Sequence, residues 1–165
     1  MCDTDRMRLY LPATLADLAA DAPPRLRAFT AQAPADVRGD DLEVLEDEAQ
    51  DEAALESLRR LRDDAPAAPP RRLVLALDLP LTRTPEPLEE GSSTGVLEVD
   101  TPVTWSDVVA FLLDGEDAED AVRAVLAAED QDRADAALAE LWDHALQWFD
   151  ASERPRLVEG LAPRD

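Results

Sequence analysis

The 165-residue chain contains no lysine, no isoleucine and no asparagine. It has one cysteine, one histidine and five glycines, and aromatic residues make up only 4% of it. Each shortage removes a class of chemistry. Without lysine there is no Schiff-base amine and no phosphate-loop cation, and none of the five glycines is spaced as GxGxxG or GxxxxGKS. Zinc sites draw on clustered cysteine and histidine, whereas Cys2 and His144 are one of each and far apart in sequence. A single cysteine permits no intrachain disulfide. No apolar run reaches the roughly 18 residues of a membrane span, and the opening "MCDTDRMRLYLP" has neither a basic region nor a long apolar one. A cytoplasmic protein without a membrane anchor is the expectation. With so few rings, the core must be built from leucine, valine and alanine.

What the chain has in excess is acid. Asp and Glu total 38 against 16 basic residues, all arginine, for a net charge of −22. Such a surface repels phosphate backbones and draws basic proteins or cations, so direct nucleic-acid binding is not expected. The missing Lys, Ile and Asn, beside abundant Ala, Arg, Asp, Leu and Pro, point to a GC-rich coding sequence. Part of the acidity is then background composition that aids solubility. A hydrophobic content of 45% separates the chain from disordered acidic tails.

Hydrophobic patterning divides the chain into alternating elements. "RMRLYLP" reads as a strand stopped by Pro12, and "ATLADLAADAPP" as a short helix capped by Thr14 and closed by Pro23 and Pro24. "RLRAFTAQ" alternates like a second strand. A long helix follows over residues 42–64. "RRLVLALDLP" carries the unbroken run Leu73–Leu77, which implies a strand buried on both faces. Residues 81–95 have the composition of a long loop. "VLEVDTPV" reads as a strand and Val108–Leu113 as another, with a short helix as the alternative; "EDAEDAVRAVLAAEDQ" reads as a helix and "RADAALAELWDHAL" as a second or as its continuation after a kink; "LQWFD" reads as a last strand and "ERPRLVEGLAPRD" as a weak tail helix. The fold expected is α+β: one mixed sheet with helices packed against it, ferredoxin-like in part, with an open α/β sandwich as the alternative. Residues 1–6 are expected to be a disordered extension, 7–153 the domain, and 154–165 a loosely structured tail.

Two patterns carry candidate sites. In the long helix, Leu42, Leu45, Ala49 and Ala53 form one apolar stripe. A second, with Val44, Leu55, Leu58 and Leu61, is interrupted by Glu48 and Asp51. Acids three residues apart share a helix face, where they can meet a cation or a partner. The bland reading is that the helix changes packing face near Ala53 and Ala54, leaving both acids in water. In the second pattern, apolar runs end in Asp78, Asp100, Asp114 and Asp150. If the strands are parallel, Asp78, Asp100 and Asp114 gather at one sheet end, where they could hold Mg²⁺ for phosphate chemistry. If neighbouring strands are antiparallel, the acids separate and no shared site exists. His144 adjoins Asp143, but adjacent helical residues do not face each other, so a catalytic pair is not expected. Trp142, Trp148 and Phe149 are core anchors or a patch for a protein partner. No catalytic signature emerges. The leading expectation is a binding or regulatory module for a protein partner, followed by a metal-dependent enzyme and by a mimic of nucleic-acid charge.

The segments "MRLYLPATLADLA", "PPRRLVLALDLP", "EDAEDAVRAVLAA" and "ALQWFD" together resemble an uncharacterised family of small acidic proteins from high-GC Gram-positive bacteria. The resemblance spans Met7 to Asp150. It implies that Met7 is the usual start and that "MCDTDR" is an extension. It implies no activity and no site residue.

Overall fold

The computed structural model describes residues 6–24, 28–31, 40–64, 69–80, 96–99 and 103–159. Among the described residues six strands form one sheet: β1 (Arg6–Ala13), β2 (Ala28–Ala31), β3 (Leu73–Pro80), β4 (Val96–Val99), β5 (Val108–Leu113) and β6 (Gln147–Asp150). Their order is β4-β2-β1-β3-β5-β6, and every pairing is antiparallel. The helices are α1 (Asp40–Asp64), α2 (Glu119–Ala127), α3 (Gln131–Trp142) and α4 (Arg154–Glu159). The α+β class holds, with helices against a single sheet, although the sheet is antiparallel rather than mixed. Because β2 and β3 both run against β1, they are parallel to each other. The chain leaves β2, runs through α1 and returns as β3 with β1 between them, a split β-α-β unit of ferredoxin-like kind.

Alternation along β3 sorts the core. Leu73, Leu75, Leu77 and Leu79 point to one face with Leu9, Leu11, Leu15, Leu18 and Phe111. Val74 and Ala76 point to the other, against α1. The leucine-rich face supplies most of the driving force, at about 1.5–3 kcal/mol per fully buried side chain. On the α1 face the contacts are small: Ala49, Ala53 and Ala54 meet Val74, Ala76 and Ala110, which lets the helix backbone lie close to the sheet. Beyond Ala54 the helix changes partners. Leu58 and Leu61 leave the sheet and pack with Ala118, Val122 and Leu141 of the α2–α3 pair. This is the change of face that the interrupted stripe implied. Ser57 sits at the handover, fully buried; its hydroxyl donates to Ala13 O at 2.7 Å and accepts from Leu73 N at 3.0 Å. Register pairs Leu77 with Val108 and Ala76 with Ala110, so Val109 is a bulge residue and joins Ala110 on the α1 face.

Two local readings need correction. β1 does not stop at Pro12 but continues to Ala13, with Pro12 opposite Val74. The short helix is a 3₁₀ turn, Leu15–Ala19, whose Asp17 carboxylate accepts from Thr14 N at 2.9 Å. The segment read as a tail helix is helical over Arg154–Glu159, and Leu157 and Val158 pack on the leucine-rich face. Arg154 fixes this helix: its guanidinium lies 4.0 Å from the centroid of the Trp105 ring and donates to Leu18 O and Ala20 O. The loop assigned to 81–95, residues 1–5 and Asp100 lie outside the described residues.

Candidate functional site

A sheet whose neighbours run antiparallel brings the start of one strand beside the end of the next. Arg72 immediately precedes β3 and Asp114 immediately follows β5, and Leu73 pairs with Leu113. The two charges therefore meet in the interior, with side chains 1% and 0% exposed. Asp114 accepts from Arg72 Nε at 2.8 Å, from Nη2 at 2.7 Å and from the Arg72 backbone N–H at 2.9 Å. Nη2 also donates to His144 O at 2.8 Å. The Trp142 ring lies 5.5 Å from the guanidinium carbon, on the side opened by the end of α3.

Arg72 also lines a cleft of about 230 Å³. Gln50 and Asp51 of α1 form one wall; Trp142, His144, Ala145 and Leu146, from the end of α3 and the turn into β6, form the other. Asp51 is itself exposed, at the mouth. Partial burial raises its pKa, repulsion by Asp47 and Glu48 adds to this, and Arg72 opposes it. Gln50 donates an amide N–H to Tyr10 Oη at 3.4 Å. His144 Nδ1 lies 3.7 Å from Asp117 Oδ2, outside hydrogen-bond reach. Arg72 Nη1 donates to none of the described residues, while Nε and Nη2 are occupied. No buried side-chain nitrogen or oxygen among the described residues lacks a partner.

The sequence-derived candidates are distributed as follows. Asp51 and Trp142 line the cleft, and Glu48 stands near Asp51 on the exposed side of α1. Trp148 is 58% exposed on the edge strand β6. It pairs with Leu112, whose side chain faces the α1 layer, so the Trp148 ring is on the same side of the sheet as the cleft. Phe149, one position on, turns to the other face and packs there. Asp78 and Asp114 do not converge. Asp78 lies at the far end of β3 from Arg72 and is paired with Arg8, while Asp114 is consumed by Arg72. Antiparallel order is the reason, and Asp100 lies outside the described residues. Among the described residues no group of three or more His, Cys, Asp or Glu side chains is placed to hold a metal ion, and no helix is long and apolar enough to cross a membrane.

Arg72, Ser57 and the cleft itself were not singled out from sequence. A signal for the first existed: an arginine directly before one buried strand and an aspartate directly after another is what an antiparallel pair would join. No curated protein and no solved structure matches the chain at a significant level. The uncharacterised kinship read from the sequence is met more firmly: a model of a family of unknown function (DUF6912) matches residues 7–158, nearly the whole chain, and the chain belongs to that family.

Proposed function

We propose that the protein is a non-catalytic binding module that engages a protein partner through the side of the sheet bearing α1, the end of α3 and β6. The observation that carries this reading is the exposure of two tryptophans on that side, Trp142 at 40% and Trp148 at 58%. Tryptophan dominates binding energy at protein interfaces because it buries a large area with little loss of rotamer freedom. The same side carries exposed Val44 and the acids Asp47, Glu48 and Asp51. A rim of this kind favours a partner with basic residues around an apolar centre. A cytoplasmic setting belongs to the same reading and rests on the single cysteine of the chain.

The test is selection from a random-peptide display library, followed by titration of the selected peptides against purified wild type, Trp142→Ala and Trp148→Ala. Selected peptides should be basic, and one or both substitutions should weaken binding by roughly thirtyfold, the effect of an interface hot spot. Failure to select any peptide, or binding indifferent to both substitutions, would sink the reading.

A further inference from the structure

The cleft beside Trp142 joins an aromatic wall to an acidic mouth. Its volume, about 230 Å³, falls below the roughly 300–1,000 Å³ of sites for drug-sized molecules, so it suits one side chain rather than a whole cofactor. Its charge follows from which groups are already paired. Asp114 cancels Arg72 through three hydrogen bonds, so that pair adds no net charge. Asp51 then leaves the cleft negative, and Asp47 and Glu48 stand close enough to repel it. The arginines of the same helix are committed elsewhere: Arg59 to Glu56, Arg60 to Asp17 and Arg62 to Asp63. A carboxylate left among like charges is relieved by a cation from outside. A metal ion fits poorly, since among the described residues no group of three or more His, Cys, Asp or Glu side chains is placed to hold one. The walls call instead for a cation with an apolar body. Leu146 is half-buried beside the cleft, and the Trp142 ring, 40% exposed, already has the Arg72 guanidinium 5.5 Å from its centroid. Gln50 gives its amide N–H to Tyr10 Oη at 3.4 Å, which leaves its amide oxygen as an acceptor.

We propose that this cleft receives an arginine side chain of the protein partner, its guanidinium between the Asp51 carboxylate and the Trp142 ring and its methylene stem against Leu146. The inference rests on the protein-binding reading and names the side chain by which the partner is held. Arginine suits the cleft better than lysine. Its planar group stacks on an aromatic ring, meets a carboxylate with two N–H donors and is weakly hydrated, whereas an ammonium gives up more of its hydration against apolar walls. Asp47 and Glu48 attract further basic residues beside it in the partner.

The experiment uses the library-selected peptides, with each arginine replaced in turn by citrulline, its neutral near-isostere, and by lysine. Binding to the purified full-length chain is followed by ¹⁵N NMR at the Trp142 indole N–H, assigned with Trp142→Phe. One arginine in each peptide should be sensitive. Citrulline there should weaken binding about tenfold or more, the worth of a charge-assisted hydrogen bond, and lysine should weaken it as well. Asp51→Asn removes the charge and keeps the bulk. That variant should bind the peptides more weakly, and in it the citrulline penalty should shrink to about twofold or less, the coupling of two groups in contact. Asp132→Asn makes the same change of charge at the start of α3, the end away from Trp142, and should leave both affinity and penalty as they were. Selected peptides without arginine, citrulline tolerated at every arginine, a penalty undiminished in Asp51→Asn, or equal losses in Asp51→Asn and Asp132→Asn would overturn the proposal while leaving a protein-binding module in place. Lysine binding as tightly as arginine would overturn it in favour of a site for any cation. If no peptide is selected at all, both readings fall.

Discussion

Asp114→Ala would leave the Arg72 guanidinium with only the Trp142 ring and the His144 carbonyl, and the Arg72 backbone N–H with no acceptor. Breaking a buried pair from one side costs about 3–5 kcal/mol because the remaining charge stays buried. Asp114→Asn keeps an oxygen for the backbone N–H and should cost less; urea titrations of the two variants would order them. Asp51 makes a different prediction. Its pKa is raised in the folded state, so the folded protein binds more protons than the unfolded one between the two pKa values, and stability falls as pH rises through that window. Asp51→Asn should therefore stabilise the protein at pH 7, and the gain should vanish once the pH is below the ordinary carboxylate range. A gain that persists in acid would show that the carboxylate acts through packing rather than charge. The legibility of these two acids differed for a physical reason. Asp51 was visible because it breaks a stripe within one helix, a local pattern. The role of Asp114 depends on a partner brought by strand register, and a strand-end aspartate looks the same whether it awaits a metal or an arginine.

Elements were more readable than their edges. β3 was identified by an unbroken apolar run, and both its faces are indeed buried. α2 lies within a stretch read as helical, and its Ala121, Val122, Val125 and Leu126 pack with Leu58 and Leu61 of α1 and Leu141 of α3. What no local pattern held was sheet order, since every strand of this sheet would read the same in a parallel arrangement. The union of elements by Ser57 was equally silent: a serine among leucines at helical spacing looks like a weak position, yet it ties the end of β1 to the start of β3 through α1. Ser57→Ala should cost about 1–3 kcal/mol, because Ala13 O and Leu73 N lose a buried partner. Ser106→Ala, on the surface, should stay within about 0.5 kcal/mol. Equal effects of the two in chemical denaturation would mean that the bridge contributes nothing.

For the whole molecule, a charge of −22 on 165 residues means net self-repulsion in the compact state. Moderate NaCl, with a Debye length of about 8 Å at physiological ionic strength, should raise the melting temperature. A steady fall with added salt would show that attractive pairs such as Arg60–Asp17 and Arg71–Glu119 outweigh the excess. The charge itself was plain from composition; the division of its carboxylates between arginine partners, the cleft rim and open water was not, because it depends on tertiary distance. The central place of β3 has one more consequence, for the order of events during synthesis. β1 needs β3 along its whole length: Ala13 waits for Leu73 and Arg6 for Pro80. A ribosome delivers β1, β2 and α1 well before that partner emerges, so until then β1 offers its apolar residues and one side of its backbone to whatever is near. The nascent chain is thus at its most adhesive in its first half, and completion of β3 is the moment at which it can close on itself.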